Sequence, residues 1–117
     1  MNLEKIESDL ISEVKLEPLE AKIFLLVTTK GKMTTEKIAK EIGLDYVQTL
    51  SIAKKLVTFG GLIDISESEF EAMHPRFTAV NMYRKTCTMN NIKFKKNLIV
   101  DNIGVALEEL YERARTK

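Results

Sequence analysis

Apolar residues recur along most of the chain at intervals of three and four positions, the spacing that places side chains on one face of an α-helix. The stripe through Leu3, Ile6 and Leu10 is an example near the N-terminus. The same spacing along the whole chain predicts six helices, at residues 3–15, 18–29, 35–42, 45–59, 77–90 and 94–114.

Residues that start or end helices stand at the boundaries of these stripes. Pro18 suits the first turn of the second helix, and Gly31 ends that helix. Thr34 and Asp45 are suitable N-caps for the third and fourth helices, and Gly43 suits the position after the third. The sequence therefore predicts a short helix and a longer one joined by a tight turn.

The hydrophobic pattern changes after the fourth helix. Residues 62–66 read as a short strand, residues 67–68 as a turn and residues 69–74 as a partner strand. Pro75 ends the second strand. The sequence therefore predicts a β-hairpin, although the turn lacks the Asn-Gly or Asp-Gly pair that is typical of tight hairpins.

Helix, short helix, helix and hairpin follow one another in the order of a winged helix-turn-helix. The predicted fold is mainly α (α+β): a winged helix-turn-helix with a two-stranded wing, an N-terminal helix and a C-terminal helical extension. We assign residues 1–76 to a winged helix-turn-helix DNA-binding domain that includes the N-terminal helix, and residues 77–117 to the extension. Some winged-helix domains bind only protein, so the fold alone does not establish function.

Three segments resemble archaeal TrmB-like transcription regulators. Residues 16–27 look like the opening helix of the DNA-binding domain in that family, residues 35–44 are similar to the helix that follows, and residues 47–63 look like the recognition helix leading into the wing. The resemblance spans about residues 16–74 and implies a small DNA-binding regulator. Other members carry a large C-terminal sugar-sensing domain and have more Arg in the recognition helix, so the resemblance gives no support for a sugar ligand.

Charge is balanced overall and segregated along the chain. Lys and Arg number 18 and Asp and Glu 17, for a net charge of +1. The net charge is −3 over residues 1–29, +3 over 30–60, −4 over 61–73 and +6 over 74–100. The predicted helix-turn-helix is therefore mildly basic, as contact with phosphates requires.

The fourth helix is the predicted recognition helix, at about residues 45–59 in the major groove. Gln can read adenine, and Lys can contact guanine or a phosphate. Tyr46 and Gln48 lie at the N-terminal end, the part that usually enters the groove. The predicted DNA-binding residues are Thr35, Lys37, Tyr46, Gln48, Ser51, Lys54, Lys55 and Arg76. The alternative is that the helix simply presents a solvated polar face.

The acidic hairpin argues against DNA binding, because four carboxylates would be repelled by phosphates. Either the wing points away from DNA, or the domain binds protein, or Arg76 and His74 supply the backbone contact beside it. An ordinary solvated strand face is also consistent with the pattern.

The basic segment 84–96 is a second charge feature. It reads as a further phosphate-contacting patch, as a solvated linker, or as a surface for the acidic N-terminal helix of a second copy.

The last helix carries an apolar stripe that extends beyond what a domain of this size needs to cover its core. Such a helix is expected to bind a partner, and we predict a homodimer with two recognition helices about 34 Å apart on a palindromic site. The predicted dimerisation residues are Ile99, Ile103, Ala106, Leu107, Leu110 and Tyr111.

The sequence offers few residues for catalysis or metal binding. One Cys and one His are too few for an internal disulfide or a structural zinc site. His74 lacks a recognisable catalytic partner, Cys87 reads as a small core residue, and no nucleotide-binding glycine motif is present. We therefore expect no enzyme activity, no cofactor and no metal. A signal peptide and a membrane span are also lacking, so the sequence predicts a cytoplasmic protein with no membrane partner.

The function that these observations favour is sequence-specific binding of double-stranded DNA by a dimeric transcription regulator. The alternative is a winged-helix adaptor that binds protein and not DNA. The acidic hairpin and the near-neutral total charge favour this alternative.

Overall fold

Six α-helices and one small antiparallel sheet make up the part of the chain that the computed structural model describes, residues 2–115. The helices are α1 (Leu3–Asp9), α2 (Pro18–Lys30), α3 (Thr35–Ile42), α4 (Tyr46–Phe59), α5 (Pro75–Met89) and α6 (Leu98–Arg115). The strands are β1 (Met33–Thr34), β2 (Ile63–Asp64) and β3 (Glu69–Glu71). The six predicted helices are confirmed, and the last of them begins at Leu98 rather than at residue 94.

The first helix differs from its prediction in its final turns. After Asp9 the chain continues as a π-helical segment, Leu10–Val14, and ends at Lys15 in the left-handed conformation with φ +67°. Ile6, Leu10 and Val14 are buried. The apolar stripe predicted the buried face correctly from Ile6 onward, but its first residue, Leu3, is 40% exposed. Hydrophobic spacing also does not distinguish an α-helical turn from a wider one.

The sheet has three strands in the order β1-β3-β2, and the sequence predicted only two. Met33 pairs with Phe70 and Ile63 pairs with Glu71, both in antiparallel register. The strands are also shorter than the predicted segments at 62–66 and 69–74. A two-residue strand such as β1 carries no detectable alternation, so only its pairing with β3 reveals it.

The hydrophobic core is centred on α2, whose Ile23, Phe24 and Val27 are fully buried. Ile103 and Leu107 of α6 belong to the same buried cluster. Residues on both sides of the predicted boundary at residue 76 therefore contribute to one core, and α6 packs directly on α2. No helix within residues 2–115 is long and apolar enough to cross a membrane.

Candidate nucleic-acid interface

The tight turn between α3 and α4 is built by the residues that the sequence singled out. The Thr34 hydroxyl accepts a hydrogen bond from the Lys37 amide, and the Asp45 carboxylate accepts one from the Gln48 amide at 2.8 Å. Gly43 has φ +81°, a left-handed conformation that favours glycine. Both N-caps and the glycine after α3 are therefore confirmed, and together they set the direction in which α4 leaves α3.

One face of α4 is buried and the opposite face is open. Thr49, Ala53 and Leu56 pack into the core, and the Thr49 hydroxyl donates to the Asp45 carbonyl oxygen at 2.8 Å. The outward residues are the predicted Tyr46, Gln48, Ser51, Lys54 and Lys55, together with Val47. Within residues 2–115 no hydrogen bond or ion pair engages the side chains of Gln48, Ser51, Lys54 or Lys55. This face of α4 is therefore available to a ligand.

Val47 is a residue that the sequence reasoning missed. Its side chain is 77% exposed, the largest exposed fraction among the large hydrophobic residues of the described chain. It lies on the same outward face as Ser51, one turn earlier. An apolar side chain at this position could contact a thymine methyl group. The signal was present in the sequence, because Val47 falls outside the apolar stripe of α4.

The C-terminal half of α4 borders a groove of about 810 Å³ that other elements complete. Lys54 and Lys55 line one side of it, and Lys15 and Lys85 line other parts. The Lys85 ammonium also donates to the Thr58 carbonyl oxygen at 2.9 Å, near the end of α4. Four lysines from separate parts of the chain thus meet around one concave surface. The sequence marked Lys85 as part of a basic segment but contained no sign that Lys15 lies nearby.

Two carboxylates reduce the positive charge of this groove. Glu17 and Glu20 belong to its lining. They form a capping box at the start of α2, in which the Glu20 carboxylate accepts a hydrogen bond from the Glu17 amide at 2.8 Å. Their position is explained by this cap, and they make the groove less basic than its lysines alone suggest.

Two predicted DNA-binding residues have other roles in the structure. Thr35 is fully buried, and its hydroxyl donates to the Ser68 carbonyl oxygen at 2.8 Å, so it has no exposed atom to offer a phosphate. Its assignment to the DNA surface is wrong. Arg76 remains exposed, but its Nε lies 3.0 Å from a carboxylate oxygen of Glu108 on α6. The Glu108 carboxylate therefore partly offsets the positive charge of Arg76. Lys37, a third predicted DNA-binding residue, is exposed at the start of α3.

The acidic hairpin has one buried side chain between its acids. Phe70 is fully buried, and Glu69 and Glu71 on either side of it are half-buried. Buried and partly exposed side chains thus alternate along β3. Asp64 and Glu67 are exposed, so the tip of the hairpin presents negative charge to solvent.

The predicted dimerisation stripe on α6 divides into two sets. Ile103, Leu107 and Tyr111 are buried in the core of the chain itself, so they are not available to a partner. The assignment of these three to a subunit interface is therefore wrong. Sequence reasoning missed this because it did not place α6 on α2. Ile99 is 43% exposed and Ala106 is partly exposed, and both line the groove between α6 and α1. Leu110 is also partly exposed.

The basic segment 84–96 spans the end of α5 and the loop before α6. Arg84 lies 4.3 Å from the centre of the Phe94 ring, an arrangement typical of a cation–π contact. Lys96 pairs with Asp101 at 2.9 Å. Lys93 and Lys95 are exposed. Cys87 is buried, as a small core residue is expected to be.

Comparison with known proteins found no matching family model, no similar curated protein and no similar solved structure. The resemblance to TrmB-like regulators therefore stays a prediction that rests on the residues quoted for it.

Proposed function

We propose that the chain is a winged helix-turn-helix protein that binds double-stranded DNA as a transcription regulator. In this proposal α3 and α4 form the helix-turn-helix, β2 and β3 form the wing, and α4 enters the major groove. The observation that carries the proposal is the outward face of α4. Its polar and basic side chains have no hydrogen-bond or ion-pair partner in the described part of the chain, and they lie beside a groove that further lysines border.

The position of these side chains suits the two tasks of a DNA-binding helix. Gln48 lies in the first turn of α4, where base edges are usually read, and Val47 beside it offers an apolar surface. Lys54 and Lys55 lie two turns further on, where they would contact phosphates. Lys15 and Lys85 extend the basic surface beyond the helix, so the phosphate contacts would come from three parts of the chain.

Binding to DNA by this surface is tested by fluorescence anisotropy with a labelled mixed-sequence duplex at several salt concentrations. The test variant is Lys54→Gln/Lys55→Gln, and the matched control is Lys5→Gln/Lys22→Gln, which removes two positive charges from α1 and α2. Each phosphate contact makes the slope of log K against log salt more negative by about 0.9. The test variant loses two contacts, so its slope should be less negative by about 1.8. If the variant and the unmodified protein bind equally at 1 M salt, this change in slope corresponds to roughly 60-fold weaker binding of the variant at 0.1 M salt.

The control should bind as the unmodified protein does, since Lys5 and Lys22 form surface ion pairs with Asp9 and Glu7 instead. An equal loss in both variants would show that binding depends on total charge and not on α4. No binding at low salt would refute the proposal.

The regulator is proposed to act as a homodimer. Ile99, Ala106 and Leu110 form a partly exposed apolar flank on α6, and Leu3 on α1 is 40% exposed. A groove of about 310 Å³ lies between these two helices. A dimer with two-fold symmetry would carry two copies of α4, one for each half of a palindromic site. Sedimentation equilibrium at micromolar concentration tests this, and a monomer would refute the dimer without affecting the DNA-binding surface.

The second candidate function is a protein-binding adaptor, and the hairpin favours it. Asp64 and Glu67 are exposed at its tip, and Ile65 between them is 45% exposed. An acidic loop with an apolar side chain suits a basic protein surface better than a phosphate backbone. Reversal of the hairpin charge with Asp64→Lys/Glu67→Lys separates the two functions. It should strengthen DNA binding if the hairpin lies near phosphates, and it should weaken binding of a basic protein partner.

A further inference from the structure

A cavity of about 320 Å³ lies between the end of α2, strand β3 and the end of α6. Its volume is at the lower end of the range for small-molecule sites. Gly31, Ala72 and Ala114 are among its lining residues, and their small side chains leave room for a ligand. None of the lining residues belongs to α3 or α4, so this cavity is separate from the proposed DNA-binding surface.

Thr28, which is among the residues lining this cavity, carries a buried hydroxyl group without a partner in the described chain. Thr28 is 1% exposed, and its hydroxyl has no hydrogen-bond partner within residues 2–115. The adjacent Thr29 behaves as helical threonines usually do, since its hydroxyl donates to the Leu25 carbonyl oxygen at 2.8 Å. A buried polar group without a partner is destabilising. A polar ligand atom that reached the Thr28 hydroxyl would therefore relieve this cost.

Charged side chains of both signs also line the cavity. Lys32 and Arg115 supply two positive charges and Glu71 supplies one negative charge. In the described part of the chain, none of the three has an ion-pair partner within 4.0 Å. Arg115 is held in place by Tyr111, whose hydroxyl accepts a hydrogen bond from the guanidinium at 3.0 Å. Within residues 2–115, the cavity thus brings together two cations and one carboxylate without an ion-pair partner, and one buried hydroxyl without a hydrogen-bond partner.

We propose that this cavity binds a free α-amino acid. Arg115 and Lys32 would bind its carboxylate, because guanidinium and ammonium groups form strong charge-assisted hydrogen bonds with carboxylates. Glu71 would accept from its ammonium group, and the Thr28 hydroxyl would donate to the carboxylate. A phosphate monoester fits less well, since Glu71 would repel its second negative charge. This inference does not rest on the proposed DNA binding.

The test is calorimetric titration of the full chain with each standard amino acid at millimolar concentration. Any amino acid that binds is compared with its decarboxylated amine and with its N-acetyl derivative. Each analogue lacks one of the two charges, so each should bind about tenfold more weakly or worse, the effect of one lost charged hydrogen bond.

Variants locate the binding site. Thr28→Val and Lys32→Gln should weaken binding of the amino acid, and Glu71→Gln should weaken it without weakening the N-acetyl derivative. Lys30→Gln is the matched control, because Lys30 is exposed beside the cavity and does not line it, and it should bind normally. The melting temperature of Thr28→Val without ligand should not fall, because the change removes a buried hydroxyl that lacks a partner.

Three results would overturn the proposal: no heat of binding for any amino acid, equal binding of the N-acetyl derivative, or unchanged binding in Thr28→Val and Lys32→Gln. The variant Lys54→Gln/Lys55→Gln should bind the amino acid normally even if it no longer binds DNA. The two proposals can therefore fail separately.

Discussion

Replacement of Gly104 by alanine is the sharpest test of how α5 and α6 meet. Gly104 is buried in α6, where alanine is usually the better helix former by about 1 kcal/mol. Here the start of α5 lies directly against it. A Cβ atom at this position would be 2.6 Å from the Arg76 Cα, 3.0 Å from the Arg76 nitrogen and 3.1 Å from the Pro75 carbonyl oxygen.

The magnitude follows from the kind of atoms in contact. All three neighbours are backbone atoms, so no side-chain rotation can relieve the clash, and α5 must move away from α6. Overpacking of this kind costs about 1–3 kcal/mol, which exceeds the helix-forming gain of about 1 kcal/mol. Because backbone atoms cannot give way, the cost lies in the upper part of that range, about 2–3 kcal/mol, and we expect Gly104→Ala to lower the free energy of unfolding by about 1–2 kcal/mol. At about 4 °C per kcal/mol for a chain of this length, the melting temperature should fall by about 4–8 °C.

Thermal and urea unfolding followed by circular dichroism measure this change. The matched control is Val105→Ala, because Val105 is 51% exposed on the same helix and alanine there should be neutral or slightly stabilising. The movement of α5 should also lengthen the contact between Arg76 and Glu108. A Gly104→Ala protein as stable as the unmodified one, or more stable, would refute the close approach of the two helices.

Four further substitutions have expected effects on stability or association. Asp45→Ala removes the N-cap of α4 and should cost about 1 kcal/mol in urea unfolding. Thr86→Val removes the buried hydrogen bond from this hydroxyl to the Val14 carbonyl oxygen, and a loss of about 1–2 kcal/mol is expected in the same assay. Leu107→Ala should cost about 2–5 kcal/mol at any protein concentration because Leu107 is fully buried, whereas Leu110→Ala should mainly weaken association, detected by sedimentation. A large, concentration-independent loss from Leu110→Ala would contradict its place on the outer flank of α6.

In the proposed complex, the acidic hairpin would repel DNA and the basic surface beside α4 would attract it. Asp64 and Glu67 are exposed, so a duplex seated on α4 must either stay clear of the hairpin tip or bind more weakly because of it. Glu17 and Glu20 also reduce the net positive charge around the α4 groove. We therefore expect modest, strongly salt-dependent affinity for non-specific DNA.

Much of the local structure could be predicted from the sequence. Helix positions followed from the three- and four-residue spacing of apolar side chains, because that spacing is set by the geometry of the helix itself. The caps at Thr34 and Asp45 and the turn at Gly43 followed from short-range hydrogen bonding and from the left-handed conformation that glycine tolerates. The outward face of α4 followed in the same way, as the side of the helix that lacks the apolar stripe.

Only the tertiary structure decided which of these faces are used within the chain. The stripe on α6 was visible in the sequence, but its contact with α2 was not, so Ile103, Leu107 and Tyr111 were assigned to a partner. Strand β1 exists because β3 pairs with it, and Thr35 is buried with its hydroxyl bonded to the carbonyl oxygen of the distant Ser68.

The groups around the two cavities come from residues that are far apart in sequence. Lys15 and Lys85 meet near α4, and Thr28, Glu71 and Arg115 line the second cavity. Hydrophobic periodicity and helix capping depend on neighbours within a few positions, so the sequence by itself determines them. Which distant side chains lie close together depends on how the helices pack. A single sequence does not give the distances between residues that are far apart along the chain.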